Sequence, residues 1–156
     1  MTDDVDLRTR LAVHPFVAGL EPGFVDALAG MARFVDHPAG AWVALHGHPA
    51  DAFYLVVAGR CAIEVGAAGR APLVIATVHP GEVLGWSWMF PPHRWHFDVL
   101  ALDPVRTIAV KAAALLAACD ANHEFGYEIT RRLAAVIATR LESTELQLID
   151  VYGHAR

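Results

Sequence analysis

The chain has 156 residues, of which 55% are hydrophobic, and a formal net charge of −5. Twelve Lys and Arg against seventeen acidic residues leave no basic face of the kind phosphate contacts require, so this chain by itself is expected to bind no nucleic acid. No apolar run approaches the ~18 residues of a membrane span. The opening "MTDDVDLRTR" lacks the apolar core of a secretory signal, and Cys61 and Cys119 have no metal or redox spacing; the cytoplasm is the expected compartment.

The length suits a single domain over residues 1–156, burying roughly 70% of its unfolded surface. Residues 1–33 read as helices. "DDVDLRTRLAVH" carries apolar residues at Val5, Leu7, Leu11 and Ala12, with acids leading and arginines trailing as the helix dipole prefers. "LEPGFVDALAGMARFV" predicts a second helix, with Phe24, Leu28 and Met31 at three- and four-residue spacing after the Pro22–Gly23 turn.

From residue 34 to 110 the texture changes to short apolar runs separated by turns: "AWVAL", "AFYLVV", "CAIEV", "LVIATV", "EVLGWSW", "WHFDVLAL" and "RTIAV". Many short strands at close spacing predict a mainly β fold with flanking helices, an eight-strand jelly-roll barrel. Helices return over residues 111–152: "KAAALLAACD", then a long one from about Asn122 to Tyr152. In the latter, Phe125, Ile129, Leu133, Ile137, Leu141 and Leu148 form one apolar stripe, and Val136, Leu146 and Ile149 a flanking one. Such a helix has more to bury than one domain supplies, which predicts a homodimer through it.

This order of elements resembles the cyclic-nucleotide-binding domain of the Crp/Fnr regulators and cyclic-nucleotide-gated proteins. The likeness covers about residues 14 to 150. It rests on the "PAG" turn, on Gly47, Pro49, Ala50, Asp51, Tyr54, Leu55, Val56, Gly59 and Arg60, and on "PGEVLG". The last matches the start of the family's phosphate-binding cassette. In the family a cassette glutamate binds the ribose hydroxyl and a short helix N-terminus faces the cyclic phosphate, whose charge an arginine neutralises. The resemblance therefore implies a ligand site at Gly81, Glu82, Val83, Leu84, Gly85, Trp86, Arg94, Trp95 and His96, with cyclic AMP or cyclic GMP as the implied ligand.

The second half of the cassette departs from that pattern. With Val99 and Ala101 on the family's "V-x-A", Trp95 takes the arginine position and His96 the Ser/Thr position. Strand alternation then turns Trp95, Phe97, Val99 and Ala101 inward and Arg94, His96, Asp98 and Leu100 outward. A bulge at "FPPH" would reverse this and bring Arg94 in. Two readings follow. One is a non-catalytic ligand-sensing or regulatory module, engaged by a small molecule or a partner protein; the other is a scaffold or dimerisation subunit whose barrel is plugged by Trp95 and Phe97. A third, a metal-binding jelly roll resembling the cupins, rests on His46 and His48, two residues apart after Gly40; two ligands fall short of a site, and no metal is assigned. No nucleophile elbow, P-loop or zinc-protease motif occurs, so no enzyme is expected. In the family's transcription factors a winged helix-turn-helix follows the long helix; the chain stops at "LIDVYGHAR", so a stand-alone module is expected.

Overall fold

The computed structural model describes residues 2–66 and 68–153. Two helices, α1 (Thr2–Val13) and α2 (Pro22–Ala29), precede eight strands, and two helices, α3 (Ala112–Ala121) and α4 (His123–Gly153), follow them. The strands are β1 (Ala32–His37), β2 (Trp42–Ala44), β3 (Ala52–Ala58), β4 (Cys61–Val65), β5 (Leu73–Val78), β6 (Val83–Leu84), β7 (Asp98–Ala101) and β8 (Val105–Lys111).

They form two four-stranded antiparallel sheets, ordered β1-β8-β3-β6 and β2-β7-β4-β5. A jelly roll is consistent with this order, but among the described residues no strand pairing joins the two sheets, so the expected barrel is not closed. β8 is the spine of the first sheet, pairing β1 on one side and β3 on the other. A strand flanked on both edges and covered on both faces must be apolar almost throughout. Five of its seven residues are buried accordingly. Thr107, with no exposed surface, donates its hydroxyl to the Val35 carbonyl at 3.2 Å, which satisfies the polar group that burial would otherwise penalise.

The second helix is shorter than its periodicity predicts. It stops at Ala29, and Met31 and Val35 leave the helix for the segment that becomes β1. The backbone of Ala32–His37 instead completes the open edge of β8, residue against residue from Ala32↔Val110 to His37↔Val105.

α4 starts at an asparagine cap: the Asn122 side-chain oxygen accepts from the backbone N–H groups of Glu124 and Phe125 at 3.1 and 3.2 Å, two of the donors a helix start leaves unpaired. Its second turn crosses α3 closely. A Cβ on Gly126 would lie 2.7 Å from the Cys119 carbonyl oxygen, so only glycine fits there. Phe125, Ile129 and Leu133 are buried against the sandwich, and Val136 and Ile137 partly so. From Leu141 onward every described residue of α4 is exposed. Among the described residues no helix is long and apolar enough to cross a membrane.

Candidate functional site

The segment Pro80–His96 links β5 to β7 and folds against the open end of the sandwich. Gly81 and Gly85 both take left-handed backbone angles, φ 90° and 88°, a region that costs any residue with a Cβ. Between them Val83 and Leu84 form β6 and are buried, at 2% and 0% exposure. The backbone of this turn is stitched to β3: Gly81 N–H donates to the Val56 carbonyl and Val56 N–H to the Glu82 carbonyl, both at 2.9 Å.

Glu82 itself points outward. Its carboxylate is half exposed and lies 3.4 Å from the His79 ring. The short helix implied after Gly85 is a turn instead: Trp86–Met89 makes one i→i+3 bond, from Met89 N–H to the Trp86 carbonyl at 3.2 Å. No helix N-terminus is therefore available there to hold an anion.

The question of Arg94 against Trp95 has a clear answer. Trp95 is buried, at 8% exposure. Its six-membered ring lies over Gly85, where an added Cβ would meet ring carbons at 2.6 and 2.8 Å. Its far side stacks on Tyr54, with centroids 6.1 Å apart. Backbone bonds from Gly47 N–H to the Trp95 carbonyl (2.8 Å) and from Trp95 N–H to the His48 carbonyl (2.9 Å) hold the residue in place. Arg94 is exposed and donates to the Gly47 carbonyl at 2.8 Å. The bulge that would have turned its guanidinium inward does not occur; Arg94 is bridged to Pro49 with its side chain along the surface.

Val99 and Ala101, inside β7, are buried as alternation requires, Trp95 is buried as well, and Phe97 is 37% exposed. β7 begins only at Asp98, and residues 96–97 form a bend, so pleat alternation reaches neither Phe97 nor Trp95, whose burial comes from its contacts with Gly85 and Tyr54. Of the two residues expected to fill the interior, only Trp95 is buried.

His96 lies outside, its ring stacked on Trp86 at 4.7 Å and its Nδ1 in a 2.8 Å hydrogen bond with the buried Ser87 hydroxyl. Beneath these groups a cavity of about 30 Å³ remains, lined by Leu84, Gly85, Trp95 and Val99 among others. That is the room of roughly one water, against about 300–1,000 Å³ for ordinary ligand pockets. Trp88, fully buried beside Phe53 at 5.1 Å, leaves its indole N–H without a partner among the described residues.

Two residues absent from the sequence expectation reach the cassette from α4. Arg140 donates to the Val83 carbonyl, and burial lowers its pKa, offset by the Glu82 charge. Arg132 donates to the carbonyls of Phe16 and Ala18 at 2.8 and 3.0 Å. Only the position of these arginines on the barrel-facing flank of α4 hinted at this. His14, buried at the end of the α1 segment, completes the arrangement: its Nδ1 accepts from Phe16 N–H at 3.2 Å, so Nε2 carries the proton toward the Val56 carbonyl at 3.1 Å. His46 and His48 do not converge on a site. Among the described residues no three His, Cys, Asp or Glu are placed to share a metal ion.

A two-sheet roll with a Gly-Glu turn and a long helix laid over it is an architecture consistent with a regulatory sensing module. Residues 34–122 match the family described as "Cyclic nucleotide-binding domain", and the chain belongs to that family. Solved structures agree on the fold. A putative cyclic nucleotide-binding protein from Geobacter metallireducens superposes with a TM-score of 0.77 at 23% identity, over 86% of this chain and 97% of that one. A cyclic nucleotide-binding domain from Methylobacillus flagellatus gives 0.81 at 16%, over 94% and 84%. The sensor domain of the transcriptional regulator DNR from Pseudomonas aeruginosa gives 0.73 at 18%, over 91% and 95%. No curated protein sequence matches the chain.

Proposed function

We propose that this chain is a non-catalytic regulatory module of the cyclic-nucleotide-binding fold in which Trp95 fills the place the family gives to the nucleotide phosphate. The observation that carries this reading is the indole seated on Gly85, with about 30 Å³ left beside it. Cyclic AMP and cyclic GMP are accordingly not bound in the family's manner. The segment Gly81–His96 keeps its regulatory place, as the surface that a small molecule or partner protein engages, and α4 is the element that responds.

The same proposal includes a homodimer through α4. Ile137, Leu141, Thr144, Leu148 and Val151 follow one another at four- and three-residue steps, the spacing of a two-helix seam, and Leu141, Leu148 and Val151 are 57%, 51% and 68% exposed. A second copy of the same stripe is the simplest cover for it.

Calorimetric titration with each cyclic nucleotide at hundreds of micromolar tests the ligand statement. No heat of binding is expected. A saturable isotherm with either nucleotide would overturn the filled-pocket reading.

A further inference from the structure

A cavity of about 380 Å³ lies outside the sandwich, in the groove between α4, the α1–α2 connection and the cassette turn. That volume falls in the range of small-molecule sites. Its walls are mostly apolar: Pro15 and Phe16 on one side, Ala135 and Val136 on the other. Charge enters at the ends, from Arg132 toward the α1–α2 connection and from Arg140 and Glu82 at the cassette.

The two arginines differ. Arg132 has Glu128 at 3.8 Å and two backbone carbonyls. Arg140 is partly buried, yet its one hydrogen bond goes to the Val83 carbonyl. Among the described residues no carboxylate lies within ion-pair distance of it, while Glu82 turns its carboxylate to His79. A guanidinium withdrawn from water with only the more distant Glu82 charge to offset its burial is an unfavourable arrangement. An anion placed at the cassette end of the groove relieves it, with a forked geometry that suits a carboxylate.

The geometry points to this groove as a binding site for a small amphipathic organic anion, its carboxylate at Arg140 and its apolar body along Phe16, Ala135 and Val136. This deepens the proposed function by naming the input. It rests on that reading only for its consequence, the response of α4, and not for the site itself. On a helix with 100° per residue, Ala135 and Thr139 lie on one flank of the buried stripe Phe125–Ile129–Leu133, with Val136 within it, whereas Leu141 and Leu148 lie on the other. Occupancy of the groove therefore leaves the proposed seam free.

Octanoate is the probe, with octanol as its uncharged counterpart, each titrated calorimetrically into the full chain. Saturable binding of octanoate, at least about tenfold tighter than octanol, is expected from a charge-assisted bond. Arg140→Gln is expected to weaken octanoate by about tenfold or more on the same ground. Arg140 also holds the Val83 carbonyl, so two variants that leave it in place serve as independent checks. Ala135 and Thr139 are exposed on α4: Ala135→Trp fills the groove and is expected to abolish binding, and Thr139→Glu sets a like charge against the carboxylate and is expected to do the same. Equal binding of octanol and octanoate, no binding of octanoate at millimolar concentration, or wild-type binding by Ala135→Trp and Thr139→Glu would each overturn the assignment. Heat with cyclic AMP, by contrast, bears on the filled pocket and leaves this assignment where the octanoate titration puts it.

Discussion

Replacing Trp95 by alanine measures how far the indole is part of the core. A side chain of this size buries about 200 Å², and at 8% exposure nearly all of that surface is withdrawn from water. At about 25 cal/mol/Å², the transfer contribution is about 5 kcal/mol, an upper bound because an unfolded chain already covers part of its apolar surface. Large aromatic-to-alanine changes in cores cost about 3–5 kcal/mol. Trp95 sits at the open end of the sandwich, where water refills the space more readily than in a sealed core, so the lower end, about 3 kcal/mol, is expected. Urea unfolding followed by far-ultraviolet circular dichroism gives the difference, since three other tryptophans complicate fluorescence. The variant also opens a cavity shaped like the lost ring, and added indole is expected to restore about 1.4 kcal/mol when present at tenfold its dissociation constant. A loss below about 1 kcal/mol, the size of an average substitution, would refute the view that the indole holds the sheets together.

Gly85→Ala meets both a left-handed backbone and the Trp95 ring; a loss of about 2–4 kcal/mol is expected by urea unfolding, and less than the additive sum in combination with Trp95→Ala, because the ring that clashes is gone. Burial lowers the His14 pKa below its ordinary 6.5, against the opposing pull of the Val56 and Glu82 carbonyls, and burial lowers that of His37 despite the Asp36 charge. The unfolded chain then takes up more protons than the folded one as pH falls below 6.5, so stability is full above that pH and declines beneath it. Urea midpoints at pH 5.5 and 7.5 should differ in that direction, and His14→Gln should flatten, without abolishing, the slope. Leu141→Glu with Leu148→Glu is expected to convert a dimer into a monomer in sedimentation velocity while leaving the unfolding midpoint of the domain nearly unchanged, because both side chains are already in water.

Local patterns were the legible part of this protein. The glycines of "PGEVLG" stand where left-handed turns require them, and the stripe of α4 follows the helical period through Leu133 as written. The places where pattern and structure part share a cause, namely partners distant in the chain. Met31 and Val35 continue the helical spacing of α2, yet the backbone of β1 is claimed by an open edge of β8, 68 to 78 residues away. Phe97 sits at the correct parity for an inward side chain, but parity has meaning only inside a strand, and β7 starts one residue later. Arg132 and Arg140 stand on the barrel-facing flank of α4, but what they hold, the carbonyls of Phe16, Ala18 and Val83, lies 57 to 116 residues upstream, beyond any window in which spacing carries information. Trp95 was visible as a displaced arginine. That it also explains Gly85, through contact between ring and backbone, required coordinates.

The pair of arginines on α4 has a mechanical consequence. Arg132 and Arg140 are two turns apart, about 12 Å along the axis, and each grips backbone rather than side chain, so neither grip slackens by a rotamer change at its acceptor. A rod bolted at two such points cannot swing about either one while the other holds. The exposed half beyond Leu141 is thus aimed, as a pointer is aimed by its mount, and re-aiming it requires both bolts to let go together.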